Sequence, residues 1–281
     1  MAPSSLSTMS AERTTPVAMT IATSDSGGGA GIQADLKAFA RCGVHGTSAI
    51  VALTAQNTHE VVSVETLPRQ FILDQVRVVV EDMGVDAVKI GMLFDEPTID
   101  AVAEALEMTG EAPVVVDPVM VAESGAVLLK SDARRALIER ILPRAAVVTP
   151  NLAEARELTG LGDDATPEEL ARSVVGLGPA AAVVTGGHAD DGADRFFDGG
   201  RLELIEGPRH PDGASHGSGC THSSALAARL ALGDSPLEAA HAARRIASEA
   251  VANGLRDVGA GAGPVDVLGT VRRAAEMDRQ A

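Results

Sequence analysis

The chain has no tryptophan and no tyrosine, and aromatic residues make up only 2% of it. Base stacking on aromatic platforms is therefore not its recognition device, and any core must be built mainly from Ala, Val, Leu and Ile. Cysteine is scarce too: Cys42 and Cys220 have no metal-like spacing and give no disulfide framework, so a reducing cytoplasm is the expected compartment. Only three lysines are present (Lys37, Lys89, Lys130), and the formal charge is −16. That balance argues against nucleic acid or an anionic membrane as a partner, but a local cradle or a metal ion can still bind an anionic small molecule. No apolar run is long enough to span a bilayer. Residues 1–15 lack the apolar centre of a signal peptide and are expected to form a disordered tail.

What is present is enough for one large core, with 45% hydrophobic residues in 281. Short continuous apolar runs alternate with helical patterns. Strands are expected at Val17–Ala22, Thr47–Leu53, Val61–Glu65, Ala87–Met92, Val114–Val116, Ala146–Thr149 and Ala182–Thr185. Helices are expected at about Ile32–Arg41, Pro68–Met83, Glu96–Met108, Ser131–Ile141, from Pro150 onward, and Thr166–Leu177. A hairpin around Phe196–Leu204 and two further helices follow. With no internal repeat and no dividing linker, residues 16–281 read as one α/β domain, a mostly parallel sheet covered on both faces.

The chain centres on Ser215-His216-Gly217-Ser218-Gly219-Cys220-Thr221-His222-Ser223-Ser224, which precedes a run of strong helix formers from Ala225 to Leu232. First-turn N–H groups lack intrahelical partners and carry partial positive charge, and glycines allow close approach of an anion. The segment reads as an oxyanion or phosphate cradle, with the Cys220 thiol expected to shift toward thiolate. On local residues alone, a glycine-rich loop capping a core helix is an equal reading. Several strands also end in polar or glycine clusters (Asp25, Gln56, Met92, Asp117, Asn151, Gly186-Gly187), and in an open parallel sheet those ends share the ligand-binding edge. Asp117 and Glu154 facing an anion cradle make sense if Mg²⁺ bridges them. On spacing alone, charge pairing at a helix N-terminus is the better reading of Glu154, and a turn before Pro118 accounts for Asp117.

In chain order, Ser24-Asp25, Gly28-Gly29-Ala30-Gly31-Ile32-Gln33-Ala34-Asp35-Leu36-Lys37, Leu53-Thr54-Ala55-Gln56-Asn57-Thr58, Lys89-Ile90-Gly91-Met92, Asp117-Pro118-Val119-Met120, Ser124-Gly125, Pro150-Asn151-Leu152-Ala153-Glu154, Gly186-Gly187-His188 and the cradle resemble the hydroxymethylpyrimidine/phosphomethylpyrimidine kinases. These belong to the ribokinase-like superfamily. The resemblance spans about Val17 to Asp266. It implies a three-layer α/β/α fold and ATP-dependent phosphorylation of an aminopyrimidine hydroxymethyl group, then of the monophosphate, in thiamine biosynthesis. It implies Asp35, Gln56, Met92, Ala30 and Gly31 at the pyrimidine; Asn151, Thr185 and Gly187 at the nucleotide; and Glu154 with Asp117 at Mg²⁺. Gly217, Ser218, Gly219 and Cys220 match the anion hole, with Cys220 in the place of the superfamily's general base. A homodimer is implied as well. Three residues depart from the pattern: Thr23 and Thr185 replace a usual Gly and Lys, and Glu123 replaces a frequent lid Lys. The nearest rivals are a pyridoxal or pyridoxine kinase and a non-catalytic pyrimidine-binding relative. Gln56 and Met92 favour the pyrimidine, because an amide can pair with an aminopyrimidine edge.

Overall fold

A computed structural model describes residues 13–121, 128–187, 191–211 and 213–271. The chain runs β1 (Val17–Asp25), α1 (Gly31–Arg41), β2 (His45–Gln56), β3 (Val61–Thr66), α2 (Arg69–Met83), β4 (Ala87–Ile90), α3 (Glu96–Ala105), β5 (Val114–Val116), α4 (Ser131–Ala136), β6 (Val147–Val148), α5 (Leu152–Thr159), α6 (Pro167–Val175), β7 (Ala182–Val184), β8 (Asp194–Phe197), β9 (Leu202–Ile205), α7 (Ser218–Ala231) and α8 (Pro236–Ala252). Among the described residues the strands form one sheet in the order β3-β2-β1-β4-β5-β6-β7-β8-β9. The pairings from β2 through β7 in this order are parallel, while the edge pairings β3–β2, β7–β8 and β8–β9 are antiparallel.

The continuous apolar strands are buried on both faces, and the pleat divides them between two cores. Met19, Ile21, Val114 and Val116 pack toward α2 to α6, while Ala18 and Val115 pack toward α1, α7 and α8. Each such branched side chain removed from water contributes roughly 1.5–3 kcal/mol. On the α7 side alanine dominates (Ala225, Ala227, Ala228, Ala239, Ala240, Ala243), which brings α7 and α8 close to the sheet and to each other. This is the three-layer α/β/α architecture expected from the sequence.

Local signals explain most boundaries. Asn151, Thr166 and Ser235 each close a capping box with the glutamate three residues on, and Pro167 and Pro236 occupy first-turn positions. Three expectations are corrected. Strand β2 runs on to Gln56, because Asp25 pairs with Thr54 and β3 folds back on its other side. The third helix tightens into a 3₁₀ turn at Leu106–Thr109, and the fourth passes into a π turn at Leu137–Ile141. Helix α7 begins at Ser218, so the cradle forms its first turn, as the sequence implied. Residues 13–15, assigned to the tail, are tied in by Arg13, whose guanidinium forks onto both oxygens of Asp86 at 2.7 Å. Glu123, Ser124, Gly125 and His188 lie outside the described residues.

Candidate active site

Two glycine loops close on one another above the sheet. After β1, Asp25 turns its carboxylate back to accept the N–H groups of Gly27, Gly29 and Ala30 at 2.8–3.0 Å, which curls the loop. Burial works against ionised Asp25, but the His216 ring and the N–H groups of Ala30 and Gly27 outweigh it and hold its pKa below the usual range. His216 Nε2 lies 3.2 Å from Asp25 Oδ2, joining this loop to the one before α7. The meeting is possible only without side chains: a Cβ on Gly217 would collide with the Gly29 carbonyl, and Gly217 has φ +87°. Gly217 caps α7, leaving the first-turn amides of Gly219 and Cys220 at its positive end.

The Cys220 thiol is partly buried. Burial pushes its pKa up to about 12; Lys89 pulls the other way, while Asp117 and Asp35 add to the rise. Burial thus favours the thiol form, against the shift toward thiolate expected from the helix terminus.

Beneath the cradle lies an ionic cluster that the sequence left unread. Lys89, in the otherwise apolar β4, is wholly buried, with Nζ 2.8 Å from Asp35 Oδ1 and 4.0 Å from Asp117 Oδ2. Ser224 from α7 donates to Asp35 Oδ1 at 2.7 Å, and Thr20 from β1 donates to Oδ2 at 2.6 Å. Burial alone would neutralise Lys89; the neighbouring carboxylates, Asp35 first, reverse that and raise its pKa. The placement of Asp35 at the pyrimidine is corrected as well. Its carboxylate has no exposure and both oxygens are taken, so it anchors α1, β4 and α7 to one another and does not face a ligand.

Asp117 and Glu154 meet at the ends of β5 and β6. Ser223 from α7 donates to Asp117 Oδ2 at 3.0 Å. Glu154 accepts the Asn151 N–H at 2.9 Å and the Met120 N–H at 3.4 Å. Burial first, then the charge of Asp117, pushes Glu154 up to about 8, and burial raises Asp117 despite Lys89. Two buried carboxylates that resist ionising side by side suit a divalent cation, whose charge would favour both as anions. Among the described residues no cluster of three or more His, Cys, Asp or Glu side chains could hold a metal by itself. Mg²⁺ needs only one or two carboxylates when phosphates and water complete its shell, so the donor set fits.

The remaining expected residues line the same edge. Gln56 ends β2 and is held to the first glycine loop by Ser26, whose hydroxyl donates to the Gln56 carbonyl and accepts its N–H, both at 2.8 Å. Met92 follows β4, Ala30 donates its N–H to Asp25 at the end of β1, and Gly31 bridges Ser24 on the same strand. Thr23 does not intrude: its hydroxyl is buried and donates to the Met92 carbonyl at 3.1 Å. Asn151 and Thr185 are bridged neighbours; the Thr185 N–H donates to the Pro150 carbonyl at 2.8 Å, setting the following Gly186-Gly187 turn next to the α5 N-terminus. His216 and His222 are both built into the fold: His216 meets Asp25 at 3.2 Å, and His222 is buried against Asp194 at 3.4 Å.

Comparison with known proteins agrees with this geometry. The sequence pattern of the phosphomethylpyrimidine kinase family matches residues 25–266. A hydroxymethylpyrimidine/phosphomethylpyrimidine kinase of Rhizobium meliloti is 47% identical over 257 residues, covering 89% of this chain and 96% of the relative. A thiamine biosynthesis bifunctional protein of Geobacter sulfurreducens is 44% identical over 88% of this chain, which matches 51% of that longer protein. Among solved structures, the Staphylococcus aureus pyridoxal kinase in complex with AMP-PCP and pyridoxal superposes with a TM-score of 0.81 at 34% identity, covering 92% of this chain and 95% of that one. With the family pattern running through both glycine loops, β4 and the cradle, this chain belongs to the phosphomethylpyrimidine kinase family.

Proposed function

We propose that the chain is an ATP-dependent kinase that phosphorylates the hydroxymethyl group of an aminopyrimidine, and then its monophosphate, in thiamine biosynthesis. The observation that carries the reading is that three groups stand at one sheet edge: the α7 first-turn amides, the Asp117–Glu154 pair, and Gln56 and Met92 at the ends of β2 and β4. Acidic residues opposite an anion cradle fit a metal–nucleotide substrate, and a half-buried amide fits an aminopyrimidine edge.

In this reading the pyrimidine lies against Met92 and Gln56, with its hydroxymethyl group toward Gly219 and Cys220. The hydroxyl oxygen bonds to the γ-phosphorus, the bond to the bridging oxygen breaks, and ADP leaves. Charge spreads over the transferred phosphoryl oxygens, where the cradle amides stabilise it. Mg²⁺ held by Glu154 and Asp117 would supply further charge neutralisation. Cys220 contributes its backbone N–H, and the hydroxyl proton passes to an oxygen of the transferred phosphoryl group as the O–P bond forms. Asn151 and Gly186-Gly187 border the nucleotide side.

We further assign the chain to the cytoplasm as a homodimer. Among the described residues no helix is long and apolar enough to cross a membrane. Val62 on β3, 68% exposed, with Leu53 and Phe71 on the adjoining β2 and α2, leaves apolar surface at a sheet edge suited to a second copy. The resemblance in structure to pyridoxal kinases favours one second reading, pyridoxal as acceptor. Steady-state kcat/KM with hydroxymethylpyrimidine and with pyridoxal separates them: the pyrimidine is expected to win by at least tenfold, and a reversed ratio overturns the assignment.

A further inference from the structure

Helix α7 is fastened to the rest of the molecule by three successive polar side chains. Ser224 reaches Asp35 on α1 at 2.7 Å, and Ser223 reaches Asp117 beyond β5 at 3.0 Å. The third, His222, faces Asp194 at the start of β8, but Nε2 stands 3.4 Å from Oδ2 and is not aimed well enough for a hydrogen bond. Both ring nitrogens of His222, Asp194 Oδ2 and Arg244 Nε are buried without a partner; they account for four of the six such side-chain atoms among the described residues. His222 is only 4% exposed and Asp194 not at all. Buried polar groups are rarely left unmade, and several in one place mark a contact that is completed in another state.

The other oxygen of Asp194 shows what that state involves. Oδ1 accepts the Gly186 N–H at 2.8 Å, and a Cβ on Gly186 would collide with the Ala193 carbonyl, so the Gly186-Gly187 turn is pressed directly onto this carboxylate. The Gly187 side faces open space. From the other side, Arg244 of α8 approaches Oδ1 at 3.5 Å and ties down the Gly192 carbonyl at 2.6 Å. Burial opposes ionised Asp194, but His222, Arg244 and the Gly186 N–H hold its pKa below the usual range, so it remains a carboxylate.

We propose that Asp194 and His222 link the Gly186-Gly187 turn to the cradle helix, and that His222 is a positioning residue that closes onto Asp194 when nucleotide occupies the turn. The inference rests on that turn bordering the nucleotide. A movement of roughly 0.5 Å brings Nε2 and Oδ2 to hydrogen-bond distance. Occupation of the turn is thereby reported to the amides of Gly219 and Cys220, one helical turn away on α7. The pyrimidine wall, on β2 and β4, has no part in the link.

The test is binding of mant-labelled ADP to the full chain, which needs no acceptor, together with separate KM values for ATP and pyrimidine. His222→Leu should weaken mant-ADP about tenfold, the value of one buried hydrogen bond, and raise the ATP KM likewise while the pyrimidine KM stays within twofold. His222→Gln, whose amide nitrogen can occupy the Nε2 position, should restore most of the affinity. Asp194→Asn combined with His222→Leu should be no worse than the worse single change. Unchanged mant-ADP affinity in His222→Leu overturns the inference, as does an equal loss for both ligands that Gln does not rescue. Should the Leu variant fail to fold, normal mant-ADP binding by Asp194→Asn overturns it instead. A wild-type chain that binds mant-ADP but phosphorylates no pyrimidine would refute the proposed function alone.

Discussion

Removing the Lys89 charge gives the sharpest thermodynamic signature in the molecule. Lys89→Met keeps the length of the side chain but leaves the Asp35 carboxylate, with no solvent exposure, satisfied only by the hydroxyls of Thr20 and Ser224. It also takes a cation from 4.0 Å of Asp117. Breaking a buried pair on one side costs about 3–5 kcal/mol, because the orphaned charge keeps its desolvation penalty and loses its compensation. Against a total stability of about 5–15 kcal/mol, the variant should fold but melt much earlier. The double variant Lys89→Met/Asp35→Leu removes both charges and should recover to within about 2 kcal/mol of the parent, less than the sum of the single effects. Urea unfolding followed by far-UV circular dichroism is the assay, since the chain has no tryptophan to report. A loss below about 1 kcal/mol for Lys89→Met, or a double variant as poor as the sum, would refute the compensation argument. The same cluster predicts that Asp35→Asn leaves the pyrimidine KM within about threefold, since Asp35 does not face the ligand.

Glu154 has a folded-state pKa of about 8 against an ordinary value of 4.5, so its protonated form favours the folded chain. That contribution is complete below about pH 4.5 and lost as pH rises through about 8, a swing of roughly 3–5 kcal/mol. The wild type should therefore lose thermal stability relative to Glu154→Gln between pH 5 and 9, with Mg²⁺ restoring the wild type alone; parallel curves would contradict this. Cys220→Ala should keep turnover within about tenfold, and the wild-type pH profile should show no thiolate limb below pH 10; a loss of a thousandfold would reinstate the thiolate as base. Gly217→Ala forces a side chain onto the Gly29 carbonyl at a left-handed φ, so kcat should fall at least a hundredfold; normal turnover would mean the two loops do not need to meet.

The alternation of apolar strands and helices made the layers legible, because parallel strands buried on both faces have no polar positions to confuse the pattern. The glycine loops and the helix start at Pro150-Asn151 were equally readable, since their conformations demand particular residues. What stayed hidden was pairing across long sequence separations. Asp35 reads as an exposed helix charge until Lys89 and Ser224 are brought against it, 54 and 189 residues away. A lysine between Val88 and Ile90, in a chain with three lysines, was the available signal. For Cys220 the helix terminus is visible in sequence, while the burial that works against a thiolate is not. His222 and Asp194 gave no local sign at all, and only the tertiary structure sets them face to face.

The central claim is transfer of phosphoryl groups from ATP to a hydroxymethylpyrimidine at this edge of the sheet. Its most direct test is ³¹P NMR of the purified chain with ATP, Mg²⁺ and hydroxymethylpyrimidine. The account predicts ADP formation matched by a phosphomonoester signal that then gives way to a diphosphate ester. ADP formation that is independent of the pyrimidine, or no phosphoester signal at all, would contradict it.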